Sequence, residues 1–100
     1  MVESFFNKQS GCLTIQIEGR FDYSCHKMFK EAFMNAVDAT SYEVDLSEVT
    51  YLDSSALGML LLLRDYAGAD KANIRLIQAN GAVTDILKIA NFHRLFVITE

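Results

Sequence analysis

The sequence predicts an α/β fold: a mixed central sheet of about five strands covered by three or more helices, in the order β-β-α-β-α-β-α-β. Three observations carry that expectation. Apolar side chains alternate in "CLTIQIEG" and "YEVDL", helical spacing takes over between such stretches, and capping residues stand where one period gives way to the other. Strands separated by helices imply parallel pairing, with helices covering the sheet.

Each element has its own signal. Gln9, Ser10 and Gly11 read as a tight turn, so residues about 4 to 9 form a first strand antiparallel to the next. In the second, Leu13, Ile15 and Ile17 share one face, and Thr14, Gln16 and Glu18 the other. After Asp22 the period becomes helical: Cys25, Phe29, Ala32, Phe33, Ala36 and Val37 form a stripe, with Asp22 or Ser24 as the cap. Tyr42, Val44 and Leu46 mark a third strand. Asp53 caps a second helix and Gly68 stops it. Ile74 and Leu76 belong to the next strand. Asn80 caps a third helix carrying Val83, Ile86, Leu87 and Ala90, and "LFVIT" closes the sheet.

Composition narrows the function classes. One hundred residues make a single domain, 1–100, and 51% hydrophobic content is enough to build its core. No apolar run reaches the roughly 18 residues of a membrane span. Met1 to Gln9 lacks a basic start and an apolar centre, so a cytoplasmic location is expected. Cys12 and Cys25, far apart in sequence, read as thiols rather than a disulfide. The net charge is −4 and the basic residues are scattered, which argues against nucleic acid and against membrane surfaces as partners.

The stretch "TYLDSSALGMLLLLRDYAG" carries the functional signal. An acid and two hydroxyls, Asp53, Ser54 and Ser55, precede an almost unbroken apolar run. Helix-start chemistry is one reading, because hydroxyls favour a first turn. A catalytic nucleophile needs a base and an oxyanion hole; the G-x-S-x-G elbow is absent, and neither His26 nor His93 has a spacing that promises contact. A phosphorylation switch is the third reading, since a phosphate is tolerated where a helix leaves its amides free. The leucines from Leu57 to Leu63 go nearly all round the helix, so it is either buried on two sides or partly exposed for docking. Met59 suits an adaptable contact surface as well as a core.

These residues resemble a known family. "VDLSEVTYLDSSALGMLLLLRDYAG" is similar to the signature of STAS domains of the anti-sigma factor antagonist type: a strand, an acidic-hydrophobic loop, Asp-Ser-Ser-Ala/Gly-Leu-Gly, then a helix. "IEGRFDYS" is similar to an earlier Gly-x-Leu-Asp element, with Phe21 in place of leucine, and "ANGAVTDILKIANFHRLFVI" to the closing helix and strand. The resemblance implies the STAS fold and a small stand-alone, non-enzymatic protein of a bacterial partner-switching pathway.

By the same resemblance, the unphosphorylated protein binds an anti-sigma factor/serine kinase or another regulatory effector. Phosphorylation of Ser54 weakens that binding, and a PP2C-type serine phosphatase reverses it. Periodicity does not choose between the serines; the resemblance points to Ser54. Asp22, Asp53, Ser54, Ser55, Leu57, Gly58 and Met59 are the expected partner-binding residues. No cofactor or metal is expected in this chain, since ATP and magnesium belong to the partners. The spacing of Asp22, Asp45 and Asp53 does not demand a magnesium site. Very small STAS proteins also serve as structural subunits of lipid-transporting ABC complexes, which is the alternative function. Nucleotide binding by the domain itself lacks a Gly-rich phosphate loop.

Overall fold

The computed structural model describes residues 1–100. Strand β1 (Val2–Asn7) ends where Asn7 Oδ1 accepts from the amides of Gln9 and Ser10 at 2.9 and 3.2 Å. That side-chain turn stops the strand before Gln9, so the strand expected over residues 4 to 9 lies earlier in the chain. β1 pairs antiparallel with β2 (Cys12–Phe21). β3 (Ser41–Leu52), β4 (Ile74–Ile77) and β5 (Val97–Ile98) follow in parallel, giving one five-stranded sheet in the order β1-β2-β3-β4-β5.

Helices α1 (His26–Asn35), α2 (Ser54–Tyr66) and α3 (Gly81–Ile89) connect the parallel strands. Because the strands are added in one direction, right-handed crossovers put every connecting helix on the same side. Leu13, Ile15 and Ile17 of β2, with Tyr42, Val44 and Leu46 of β3 and Leu76 of β4, are buried on that side. They share one core with Phe29, Phe33, Ala56, Leu60, Leu63, Val83 and Leu87 of the helices.

The other face of the sheet has no helix. Phe5, Thr14, Glu43, Arg75 and Val97 form one rung across it by strand register. Thr14 Oγ1 donates to Glu43 Oε1 at 3.3 Å, and Arg75 Nη2 lies 2.5 Å from Glu43 Oε2. Helical cover is therefore on one face only. The strands' clean alternation is the pattern of a half-buried sheet, even though most of its pairs are parallel.

Two further differences from the sequence reading lie in β3 and α1. β3 runs unbroken through Ser47–Leu52, where the resemblance implied a loop. Register shifts at Gln16/Glu18 and Gly19/Arg20 put extra residues on β3, and Gly19, at φ +85°, sits between them on β2. The bulges break the alternation that would have identified the strand. Finally, α1 ends at Asn35: Ala36 is its C-cap, and Val37 is 79% exposed rather than part of the buried stripe. Cys12 and Cys25 are free thiols, and no helix is long and apolar enough to cross a membrane.

Candidate functional site

Strand register builds the site. Phe21 and Leu52 are Cα partners in the β2–β3 ladder, so the residues that follow them, Asp22 and Asp53, leave the sheet side by side. Each aspartate then starts a helical segment in the same way. Asp22 Oδ1 accepts from the Ser24 amide at 3.0 Å and the Ser24 hydroxyl at 2.5 Å, opening a 3₁₀ turn, Tyr23–Cys25, that leads into α1. Asp53 Oδ1 accepts from the Ser55 and Ala56 amides at 3.0 and 3.3 Å and from the Ser55 hydroxyl at 2.6 Å, opening α2. Both satisfy amides that a helix start leaves unpaired.

Arg20 braces the first aspartate. Its Nε lies 3.2 Å from Asp22 Oδ2, and its guanidinium carbon sits 4.0 Å from the centroid of the Tyr51 ring. The Asp22 carboxyl is held below its ordinary value of 3.8, first by the Ser24 hydroxyl and then by the Ser24 amide; desolvation opposes them, and Arg20 adds a lesser lowering.

The two serines of α2 differ in chemistry. The Ser55 hydroxyl is half-buried and spent on Asp53. Ser54 is exposed, and its hydroxyl has no hydrogen-bond partner in the protein. No histidine touches it as a base: His26 stacks on Tyr23, with ring centroids 5.1 Å apart, and His93 lies beyond α3. The hydroxyl is a nucleophile only for a reagent that brings its own base and electrophile.

Below Ser54, at helical spacing, come Gly58, Leu61, Leu62, Asp65 and Tyr66, all on the exposed side of α2. Leu61, Leu62 and Tyr66 are 42%, 38% and 44% exposed, so the leucine run is only partly core. Two shallow grooves flank this ridge against α1: one lined by Tyr23, His26, Ser55, Gly58, Met59 and Leu62, the other by Lys30, Phe33, Met34, Leu62, Asp65 and Tyr66. Met59 is buried and contributes only to a groove floor; Leu57 is half-buried and packs against the core. Nothing lies within 4 Å of the position a Cβ would take on Gly58. This mid-helix glycine is required neither by backbone conformation nor by packing within the chain.

Register and spacing thus bring Asp22, Asp53, Ser54, Ser55 and Gly58 to one end and one side of the molecule, beside α1. Asp45 is elsewhere, on the open sheet face with its Oδ1 accepting from the Ser47 amide, and it forms no metal-ligating group with Asp22 and Asp53. Tyr23, Tyr66 and Arg20 join the site without having been singled out from sequence, Leu61 and Leu62 join it from the leucine run, and His26 joins it as a groove wall rather than as a base. Counting i+4, i+7, i+8 and i+12 from Ser54 would have found the α2 members; the others arrive through strand pairing.

Comparison with known proteins agrees with the fold. The family profile described as "Mlab, STAS domain" matches residues 4–99. A STAS-domain containing protein of Pseudomonas aeruginosa (strain UCBPP-PA14) is 53% identical over 88 residues, covering 87% of each chain. Among solved structures, the anti-sigma factor antagonist SpoIIAA in its unphosphorylated form superposes with a TM-score of 0.83 at 13% identity, over 100% of this chain and 89% of that one. An anti-sigma factor antagonist from Mycobacterium paratuberculosis gives 0.80 at 18% identity, over 99% and 86%. The phosphorylated form of the Bacillus cell fate determinant SpoIIAA gives 0.70 at 12% identity, over 100% and 92%. The structural likenesses establish a shared fold, and with the profile match and the Pseudomonas relative they place the chain in the STAS domain family.

Proposed function

We propose that this chain is an anti-sigma factor antagonist whose binding is controlled by phosphorylation of Ser54. The unmodified α2 face, with Gly58, Leu61, Leu62 and the flanking Tyr23 groove, binds an anti-sigma factor/serine kinase or a related effector. The kinase transfers phosphate to Ser54, and a PP2C-type phosphatase removes it. The observation that carries this reading is the contrast between two adjacent hydroxyls: Ser55 is held by Asp53 at 2.6 Å, while Ser54 is exposed and free. That a likeness in fold, SpoIIAA, exists in phosphorylated and unphosphorylated forms supports it.

The physics of an off switch follows. A phosphate adds about −1.5 to −2 charges at neutral pH. At Ser54 it stands next to the Asp53 carboxylate, whose Oδ1 already occupies the amides of Ser55 and Ala56. The helix start cannot neutralise both groups, so the added charge faces outward into the docking surface. Burying like charges in an interface costs several kcal/mol, and about 3 kcal/mol is more than a hundredfold in affinity.

Incubation with the cognate kinase and ATP, followed by mass spectrometry, is expected to place one phosphate on Ser54. Ser55→Ala should still be labelled; labelling of Ser54→Ala at the wild-type level would overturn the assignment. Parallel pull-downs with the unmodified and phosphorylated protein test the binding step. Recovery of a transporter ATPase as the stable partner would replace this reading with that of a structural subunit of a lipid-transporting ABC complex.

A further inference from the structure

The two edges of the sheet are built differently. β5 is only two residues long, so that edge offers little to pair with. β1 presents six residues with one side unpaired. Edges of that length act as templates for another strand unless proline, a bulge, charged side chains or a covering element blunts them. β1 contains no proline, pairs with β2 without a register shift and carries one charged side chain, Glu3, while Phe5, near its middle, is 68% exposed on the helix-free face.

Hydrogen-bond parity identifies the groups that face outward. Met1 and Glu18 exchange both backbone bonds, Met1 N donating at 3.0 Å and Glu18 N donating back at 2.9 Å. Bonded and non-bonded pairs alternate along an antiparallel ladder. Glu3 and Phe5 therefore bond inward to their partners Gln16 and Thr14, whereas Val2, Ser4 and Phe6 turn N–H and C=O toward the open edge.

We propose that β1 pairs antiparallel with β1 of a second copy about a two-fold axis at Phe5, joining two sheets into one. Three conditions fix the axis. Val2, Ser4 and Phe6 must face outward-turned residues of the same parity, which also keeps both helix-free faces on the same side. Glu3 must not face Glu3, since like charges directly opposite destabilise a sheet. Phe5 must gain an apolar mate: an axis at Ser4 would set it against the partner strand's Glu3, and an axis at Phe6 against its Asn7. The Phe5-centred register sets phenyl against phenyl at a non-hydrogen-bonded position, where cross-strand side chains are closest. It leaves Ser4 and Phe6 as reciprocal bonded pairs. The α2 face takes no part, so the proposal stands apart from the switch at Ser54.

Sedimentation velocity of the full chain over a concentration series tests it. The wild type is expected to shift from monomer to dimer, and both Phe5→Lys and Ser4→Pro to remain monomeric with unchanged circular dichroism. Proline at Ser4 removes only an outward N–H, so it blocks the edge without taking a bond from the β1–β2 ladder. Treated with diamide, which accepts the two electrons and two protons released by a thiol pair, Phe5→Cys should give a covalent dimer beyond the wild-type background. Residues in such a pair have Cα atoms about 4.5 Å apart, within the range a disulfide spans. A wild type that stays monomeric throughout, dimerisation undiminished in Phe5→Lys, or cross-linking of Ser4→Cys but not Phe5→Cys would each overturn the proposal.

Discussion

The Asp22-Tyr23-Ser24 and Asp53-Ser54-Ser55 segments are two copies of one device: an aspartate that binds the amide and hydroxyl of the serine two residues on. What stands between aspartate and serine separates them. In the first it is Tyr23, 71% exposed and stacked on His26, ahead of a three-residue turn. In the second it is Ser54, at the head of a thirteen-residue helix with an apolar stripe below it. The comparison teaches that the cap is scaffold. Only the second segment leaves a hydroxyl that the cap does not use, and that hydroxyl is the acceptor in the proposed switch.

Breaking the symmetry by charge should have the largest effect. Ser54→Glu is expected to weaken binding to the partner recovered by pull-down by more than a hundredfold, about 3 kcal/mol, while Ser24→Glu changes it only a few-fold. Isothermal titration distinguishes the two, and equal losses would remove the special standing of Ser54. Removing the caps comes next. Asp53→Ala should cost about 1–2 kcal/mol in urea denaturation, and Asp22→Ala clearly less, because it serves a turn rather than a full helix. The reverse order would mean that the second aspartate matters for something other than capping.

Gly58→Ala sharpens the comparison from the α2 side with two effects of opposite sign. Alanine in a helix interior should stabilise the fold by about 1 kcal/mol, since open space surrounds the position. The same methyl group should weaken partner binding about tenfold if a partner approaches the notch closely; unchanged affinity would place the contact elsewhere. The smallest effect is the titration of Asp22. Its native value lies below the ordinary 3.8, so its contribution to stability is complete above that value and is lost as the pH falls through the native one. Carboxyl NMR should show Ser24→Ala moving the titration back toward 3.8, because the Ser24 hydroxyl is the first cause of the shift.

Much of this architecture was legible in the sequence, and particular residues show why. Leu13, Ile15, Ile17 and Tyr42, Val44, Leu46 alternate because each strand buries one face. Asp53 and Asn80 announce their helices because short polar side chains reach unpaired amides, as Asn80 does at Val83 N, 3.0 Å away. The second half of β3 was hidden because its bulges leave Ser47 and Glu48, then Thr50 and Tyr51, exposed in succession. The distinction between the two serines was also hidden, since it depends on which hydroxyl Asp53 binds. Tyr23 and Arg20 reach the site through the pairing of β2 with β3, and a linear reading contains no such pairing.

That Phe21 is matched with Leu52 makes the alignment of the two aspartates a matter of counting residues. Replacing side chains between Ser47 and Tyr51 leaves the count intact, whereas deleting or inserting one residue there would carry the serine away from its neighbour across the strands. Drift in composition is thus tolerated and drift in length is not, so chain spacing deserves to be followed more closely than percentage identity when this arrangement is traced through distant sequences.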